Sequence, residues 1–256
     1  MDIAVVTGAS SGLGREFVRQ ISQKKEAPDE IWAVARRKER LEELSDIAEC
    51  TVRAIPLDLT KKESFDSLEK LFTSENPTIK ILVNAAGFGR MGKNEDISRK
   101  EDEDIIDLNC RASVSLTDAA LPYMKKKSRI LQICSVAAFQ PLTGLNTYAA
   151  SKAFLMSHAK ALHYELIRYG INVTAVCPFW IRETEFITGI KKTDERAVKH
   201  FPFYSKPPFV VRWALRDSRF NLWVSTPGPV ATIMRIFSKI TPHFIIVPLW
   251  DIMRRI

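Results

Sequence analysis

A doubly wound α/β domain on a parallel sheet is the fold class predicted by this 256-residue sequence. Two observations carry the prediction. Short β-branched runs alternate with amphipathic stretches of helix length, and a glycine-rich turn joins the first run to the first such stretch. Parallel strands cannot be joined by tight turns, so connections of this length imply crossovers that bury the sheet on both faces.

The strand readings in order are Ile3–Val6, Glu30–Val34, Thr51–Ile55, Ile79–Val83, Arg129–Cys134 and Asn172–Cys177, with Asn221–Ser225 as a last strand. Between them the helical readings are Leu13–Gln23, Lys38–Ile47, Lys61–Phe72, Glu101–Met124 and Thr147–Tyr169. There is no repeat, low-complexity segment or Gly/Ser-rich linker, so one domain over 1–256 is expected. Prolines and aromatics accumulate after about residue 178, which reads as a lid (178–208) and a C-terminal tail (227–256) added to that domain.

Composition narrows the class. At 46% hydrophobic and 27% charged residues the chain is globular, neither fibrous nor disordered. The first apolar run is too short for a secretory core or a membrane span, so a cytoplasmic protein is expected. Cys50, Cys110, Cys134 and Cys177 form no CxxC pair and no ligand set with His158, His163, His200 and His243, which argues against structural zinc and a disulfide framework. Buried packing is the expected role of Cys110 and Cys134. The net charge of +8 lies wholly in 191–256, which carries 12 basic and 4 acidic residues. No basic helix with base-stacking aromatics accompanies it, so no nucleic-acid partner is expected; a solvated basic surface is the plainest reading.

The turn after the first run reads Thr7-Gly8-Ala9-Ser10-Ser11-Gly12-Leu13-Gly14. Its glycines suit a tight turn, close approach of backbone to phosphate and close helix packing, and the helix N-terminus favours an anion. A dinucleotide pyrophosphate is the ligand this arrangement implies. TGxxxGxG resembles the glycine motif of the short-chain dehydrogenases/reductases, in their smaller-subunit branch. Asn84-Ala85-Ala86-Gly87 after the fourth strand, Asp58-Leu59 after the third and Asn109 in the fourth helix extend the resemblance over about residues 1–178.

Ser135, Tyr148 and Lys152 complete it, in the run Tyr148-Ala149-Ala150-Ser151-Lys152. Spacing i, i+4 puts Tyr148 and Lys152 on one helix face, where an ammonium favours the phenolate. The resemblance implies a Rossmann-type fold, with Tyr148 as general acid/base and Ser135 hydrogen-bonded to the reacting oxygen. By the same resemblance Lys152 binds the nicotinamide ribose and tunes Tyr148, and Asn109 holds a relay water. It also implies cofactor contacts from Gly8, Ser10, Ser11, Gly12, Leu13, Gly14, Asp58, Leu59, Asn84, Ala85, Gly87, Tyr148, Lys152 and Pro178. At the end of the second strand Val34-Ala35-Arg36-Arg37-Lys38 offers no carboxylate to a ribose 2′-hydroxyl, so NADP(H) is favoured over NAD(H), with Arg36 leading and Arg37 second.

Pro178-Phe179-Trp180-Ile181-Arg182-Glu183-Thr184 departs from the family's Pro-Gly followed closely by threonine. Thr184 therefore comes late for a cofactor contact, and Phe179, Trp180 and Phe186 are read as walls of an apolar substrate pocket, with Ile181 and Ile187 nearby. The expected activity is interconversion of a ketone or aldehyde with an alcohol on an apolar, steroid- or lipid-like molecule. A 3-oxoacyl thioester reductase is the rival enzyme, though the Asp-Gly-Gly ending common there is missing; a non-catalytic cofactor sensor is the rival outside enzymes. The family is usually dimeric or tetrameric. In the tail, Val230, Ile233, Met234, Phe237 and Ile240 recur at helical spacing before Phe244–Trp250 and Arg254-Arg255. That stripe suits the core, a second subunit or an anionic lipid interface, with burial in an oligomer ranked ahead of a membrane surface.

Overall fold

The computed structural model describes residues 1–182, 185–190 and 204–253, without the side chains of Ile187 and Thr188. Thr184, His200, Arg254 and Arg255 lie outside the described residues, as does part of 178–208. The strands are β1 (Asp2–Thr7), β2 (Glu30–Ala35), β3 (Thr51–Pro56), β4 (Thr78–Asn84), β5 (Met124–Ile133), β6 (Asn172–Val176) and β7 (Val224–Ser225). They form one seven-stranded sheet in the order β3-β2-β1-β4-β5-β6-β7, with every neighbouring pair parallel. The helices are α1 (Gly12–Ser22), α2 (Lys38–Glu42), α3 (Lys62–Glu75), α4 (Arg99–Ile106), α5 (Ala112–Ala120), α6 (Asn146–Leu166), α7 (Glu185–Ile190), α8 (Pro207–Arg219), α9 (Pro229–Ile240) and α10 (His243–Met253).

Period-two alternation sends the two faces of each strand into different cores. Ile3, Val5, Trp32, Leu82 and Ile130 pack with Phe65, Leu68 and Phe72 of α3, Leu116 of α5 and Leu155 of α6. Ala4, Val6, Ile31, Val83 and Leu131 pack instead with Phe17 and Ile21 of α1, Leu41 of α2 and Val211 and Leu215 of α8. The chain builds outward from β1 to β3, then returns to place β4 beside β1. Connections after these two central strands therefore diverge, and the crevice between them at the carboxyl ends is where an α/β sheet takes its ligand.

Several boundaries differ from those the sequence predicts. The stretch 101–124 is not one helix: α4 widens into a π-turn at Asp107–Arg111 before α5. β5 begins at Met124 rather than Arg129, passing through Lys127 at φ 75°, and β7 has only two residues. A whole helix, α8, closes the second core between the expected lid and the last strand, where the sequence reading assigns no element; proline at the first turn is compatible with helix initiation.

β1 and β4 are tied at their ends by Thr7. Its buried hydroxyl accepts from Ala85 N at 3.0 Å and Ala86 N at 3.1 Å and lies 3.4 Å from the Val83 carbonyl. Thr7→Val keeps the shape and removes the acceptor, so it is expected to destabilise the fold by about 1–3 kcal/mol in urea titration. Thr7→Ser, which keeps the hydroxyl, is expected to recover most of that loss; equal losses in both would show that the methyl group, not the hydrogen bonds, carries the effect.

Candidate active site

The carboxyl edge of the sheet opens into a cleft of about 670 Å³. Its floor is the turn after β1. Gly8 sits at φ +65°, and a Cβ on Gly14 would lie 2.2 Å from the Gly8 carbonyl oxygen, so α1 packs against this turn at a distance that only glycine permits. The first turn of α1 holds no acidic residue and Ser11 makes no side-chain cap, which leaves its amides to an anion from the cleft. Ser10, Ser11, Gly12 and Leu13 line this end.

Beside the cradle, Arg36 and Arg37 line the cleft at the end of β2. Arg37 donates to Ser10 Oγ at 3.0 Å and pairs with Glu185 of α7 at 2.8 Å. Arg40 pairs with the same carboxylate. Held by Arg37, and by Arg40 against some burial, Glu185 has its carboxyl lowered to about 2. Across the cleft, Asp58 accepts from the Thr60 amide and hydroxyl at 3.0 and 2.9 Å. Burial pushes the Asp58 carboxyl up, but these bonds and the charges of Arg36 and Lys61 leave it below its ordinary value. Leu59 lines the cleft next to it.

Beyond β4, Ala85 and Gly87 line the cleft, whereas Asn84 does not. Its buried amide turns back to α5, donating to Thr117 Oγ1 at 3.0 Å. Asn109 in the π-turn is wholly buried and also outside the lining. It acts as a fastener: Oδ1 accepts from Phe88 N at 3.0 Å, while Nδ2 donates to Phe88 O at 2.9 Å and Ser151 Oγ at 3.0 Å. Both predicted residues thus hold the cleft's wall from behind.

Ser135, Tyr148 and Lys152 do converge on the cleft. Ser135 follows β5 and caps the short 3-10 turn Val136–Phe139, its Oγ accepting from Ala137 N at 3.1 Å. Tyr148 and Lys152 are one turn apart on α6, with Lys152 Nζ 5.7 Å from the tyrosine ring centre. That ammonium donates to the Ile133 carbonyl at 2.8 Å, which pins it beneath the sheet edge. Burial pushes the Tyr148 phenol well above its ordinary range, with the Ser135 hydroxyl pulling the other way, and burial lowers Lys152. A neutral phenol and a buried ammonium side by side make a proton donor with its charge partner in place.

Pro178, Phe179, Trp180, Ile181 and Phe186 line the same cleft, and the Phe186 ring lies 5.2 Å from that of Tyr148. Four stand out among the lining residues that sequence reasoning missed. Gln140 is nearly buried at the cleft, and its Oε1 has no partner among the described residues. Gly89 lets the chain pass where a Cβ would sit 2.8 Å from the Tyr148 ring. Met234 of α9 and Trp250 of α10 reach the lining from the tail, with Trp250 Nε1 donating to Thr143 O at 2.9 Å and Asp251 accepting from Thr143 Oγ1 at 2.9 Å. None belongs to a local motif; only the apolar period around Met234 gave a signal. Burial raises the Cys110 and Cys177 thiols, and His163 bonds the Val173 carbonyl.

The model of the family described as short chain dehydrogenase matches residues 2–195. An uncharacterized oxidoreductase of Staphylococcus epidermidis is 32% identical over 178 residues, covering 69% of this chain and 76% of that protein. Among solved structures, a short-chain dehydrogenase from Sphingobium yanoikuyae in complex with NADPH superposes with a TM-score of 0.78 at 27% identity, over 93% of both chains. A serine dehydrogenase complexed with NADP+ gives 0.76 at 29% identity, over 89% of this chain and 95% of that one. With the match spanning most of the sheet and both halves of the cleft, this chain is a member of the short-chain dehydrogenase family and an NAD(P)-dependent oxidoreductase.

Proposed function

We propose that the protein binds NADP(H) in preference to NAD(H) and interconverts a ketone or aldehyde with an alcohol on an apolar substrate. The observation that carries this reading is the convergence of Ser135, Tyr148 and Lys152 on a cleft whose other wall is Phe179, Trp180 and Phe186. The residues present fit the dinucleotide: a glycine floor without side chains, an uncapped helix start and basic residues where a 2′-phosphate would lie. When bound, the cofactor supplies or accepts the hydride. The chain's part is to place and protonate the reacting oxygen.

In that reading Tyr148 gives its phenolic proton to the carbonyl oxygen during reduction and takes one from the alcohol during oxidation. Ser135 Oγ donates a hydrogen bond to the same oxygen, and Lys152 offsets negative charge on the phenolate. Gly8, Ser10, Ser11, Gly12, Leu13, Gly14, Ala85, Gly87, Leu59 and Pro178 form the bed of the cofactor, and Asp58 borders its adenine end. Apolar walls exclude water from the reacting oxygen.

Tyr148→Phe is expected to lower turnover by about 10²–10⁴-fold with NADPH binding nearly intact; retention of more than about a tenth of wild-type turnover would require another proton donor. Arg36→Ala should weaken NADPH about ten- to a hundredfold and leave NADH unchanged, as expected for the loss of a charge-assisted phosphate contact. Equal affinity of the unaltered protein for the two cofactors in fluorescence titration would remove the NADP(H) preference.

The direction of the Tyr148 shift sets a pH dependence. A phenol raised by burial stays protonated through neutral pH, so reduction keeps its donor there, whereas oxidation gains its base as pH rises. Steady-state rates of alcohol oxidation should therefore climb from neutral to alkaline pH while carbonyl reduction does not; an oxidation optimum below neutrality would contradict the assignment.

A further inference from the structure

The tail does more than wall the cleft. α9 and α10 each present one side inward, through Met234 and Trp250, and an opposite side outward. On α9 the outward side is Ile233, Ile236, Phe237 and Ile240, spaced i, i+3, i+4, i+7, with Ile240 75% exposed. On α10 it continues through Phe244, 78% exposed, and Ile252. The predicted stripe is therefore divided: Met234 faces the cleft, and the larger part of it faces away from the protein. An apolar face of this kind marks a docking surface.

Its charge says which one. From Ser218 to Trp250 the sequence contains no aspartate or glutamate. Asp251, the next acid, is turned inward onto Thr143 Oγ1 at 2.9 Å. Lys239 and His243 are exposed at the junction of the two helices, and Arg235 flanks the apolar side. A twofold contact between copies sets such a face against itself, bringing Arg235 and Lys239 toward their own counterparts, with no acid on α9 and only the inward-turned Asp251 on α10 to meet them. An anionic lipid surface supplies what the face lacks: negative headgroups for the cations and acyl chains for Ile240 and Phe244. The helices are about 18 Å and 16 Å long, too short to cross a bilayer but suited to lying in its interface, and no described helix is long and apolar enough to span.

We infer that the outward face of α9 and α10 docks this protein on anionic phospholipid bilayers, with the helices lying in the interface. Met234 and Trp250 then stand one helix thickness from the lipid, so the apolar wall of the cleft and the bilayer are two sides of the same pair of helices.

Co-sedimentation of the full chain with vesicles of phosphatidylcholine alone, and of phosphatidylcholine mixed with phosphatidylglycerol, tests this without cofactor or substrate, so its failure is separate from failure of the proposed reaction. The expected result is binding to the mixed vesicles only, weakened by salt and reduced at least about tenfold in both Phe237→Glu/Ile240→Glu and Lys239→Glu. Both variants should keep the wild-type mass in sedimentation velocity and the wild-type circular dichroism. Should the double variant lose its spectrum, Lys239→Glu alone decides the matter by its vesicle affinity. No binding to mixed vesicles, or equal binding to both kinds, overturns the inference. A change of mass in the double variant assigns the face to a second copy of the chain and overturns it equally.

Discussion

Backbone contact at Gly8 governs the arrangement of the whole carboxyl edge. The carbonyl of Gly8 meets α1 at Gly14, and the position of its missing Cβ is 2.9 Å from Ala86 N. Three segments, the β1 turn, the α1 start and the β4 exit, are thereby packed with no side chain between them. Thr7 closes the same junction with its hydroxyl. From Ala86 the chain runs directly into Gly87, Phe88 and Gly89, which meet Asn109 and the Tyr148 ring. A shift at the glycine turn would consequently be carried through rigid, close-packed backbone to the residues of α6.

Behind that edge, polar groups are held by mutual satisfaction. Asn109 joins Phe88 to Ser151, and Ser151 Oγ in turn donates to the Tyr148 carbonyl at 2.7 Å. Lys152 is 5% exposed and takes its acceptor from β5. Burying an ammonium is unfavourable unless its donors are met, so the carbonyl of Ile133 and the nearby phenol are conditions for that lysine's position. Such a network rigidifies one arrangement, because any alternative strands a buried donor.

What was legible in the sequence had a local cause. Strand alternation, the glycine turn and the Tyr148–Lys152 interval each follow from periods of two or 3.6 residues or from the lack of a Cβ, and each reappears in the structure. What was not legible depended on distant partners. The start of β5 at Met124-Lys125-Lys126-Lys127 reads as polar chain, yet Ser128 Oγ donates to Ile79 O and secures it beside β4. Helix α8 hid behind Pro207-Pro208, although Val211, Ala214 and Leu215 complete the core under β5 and β6. The motif positions of Asn84 and Asn109 do not specify which way a side chain turns; Thr117 holds the one amide and Phe88 the other. Trp250 was invisible for the same reason, since it is placed by a hydrogen bond to Thr143 and by packing against the cluster around Tyr148, both far away in sequence.

Arg37 has a second meaning beyond its place at the end of β2. The carboxylate it holds belongs to α7, in the segment that also brings Phe186 to Tyr148. An anion reaching Arg37 competes with Glu185, so the two binding equilibria share one free energy. Linkage makes that sharing reciprocal: whatever factor α7 docking subtracts from anion affinity, anion binding subtracts from α7 docking. The two ends of the cleft, more than a helix apart in sequence, are on that account not thermodynamically independent.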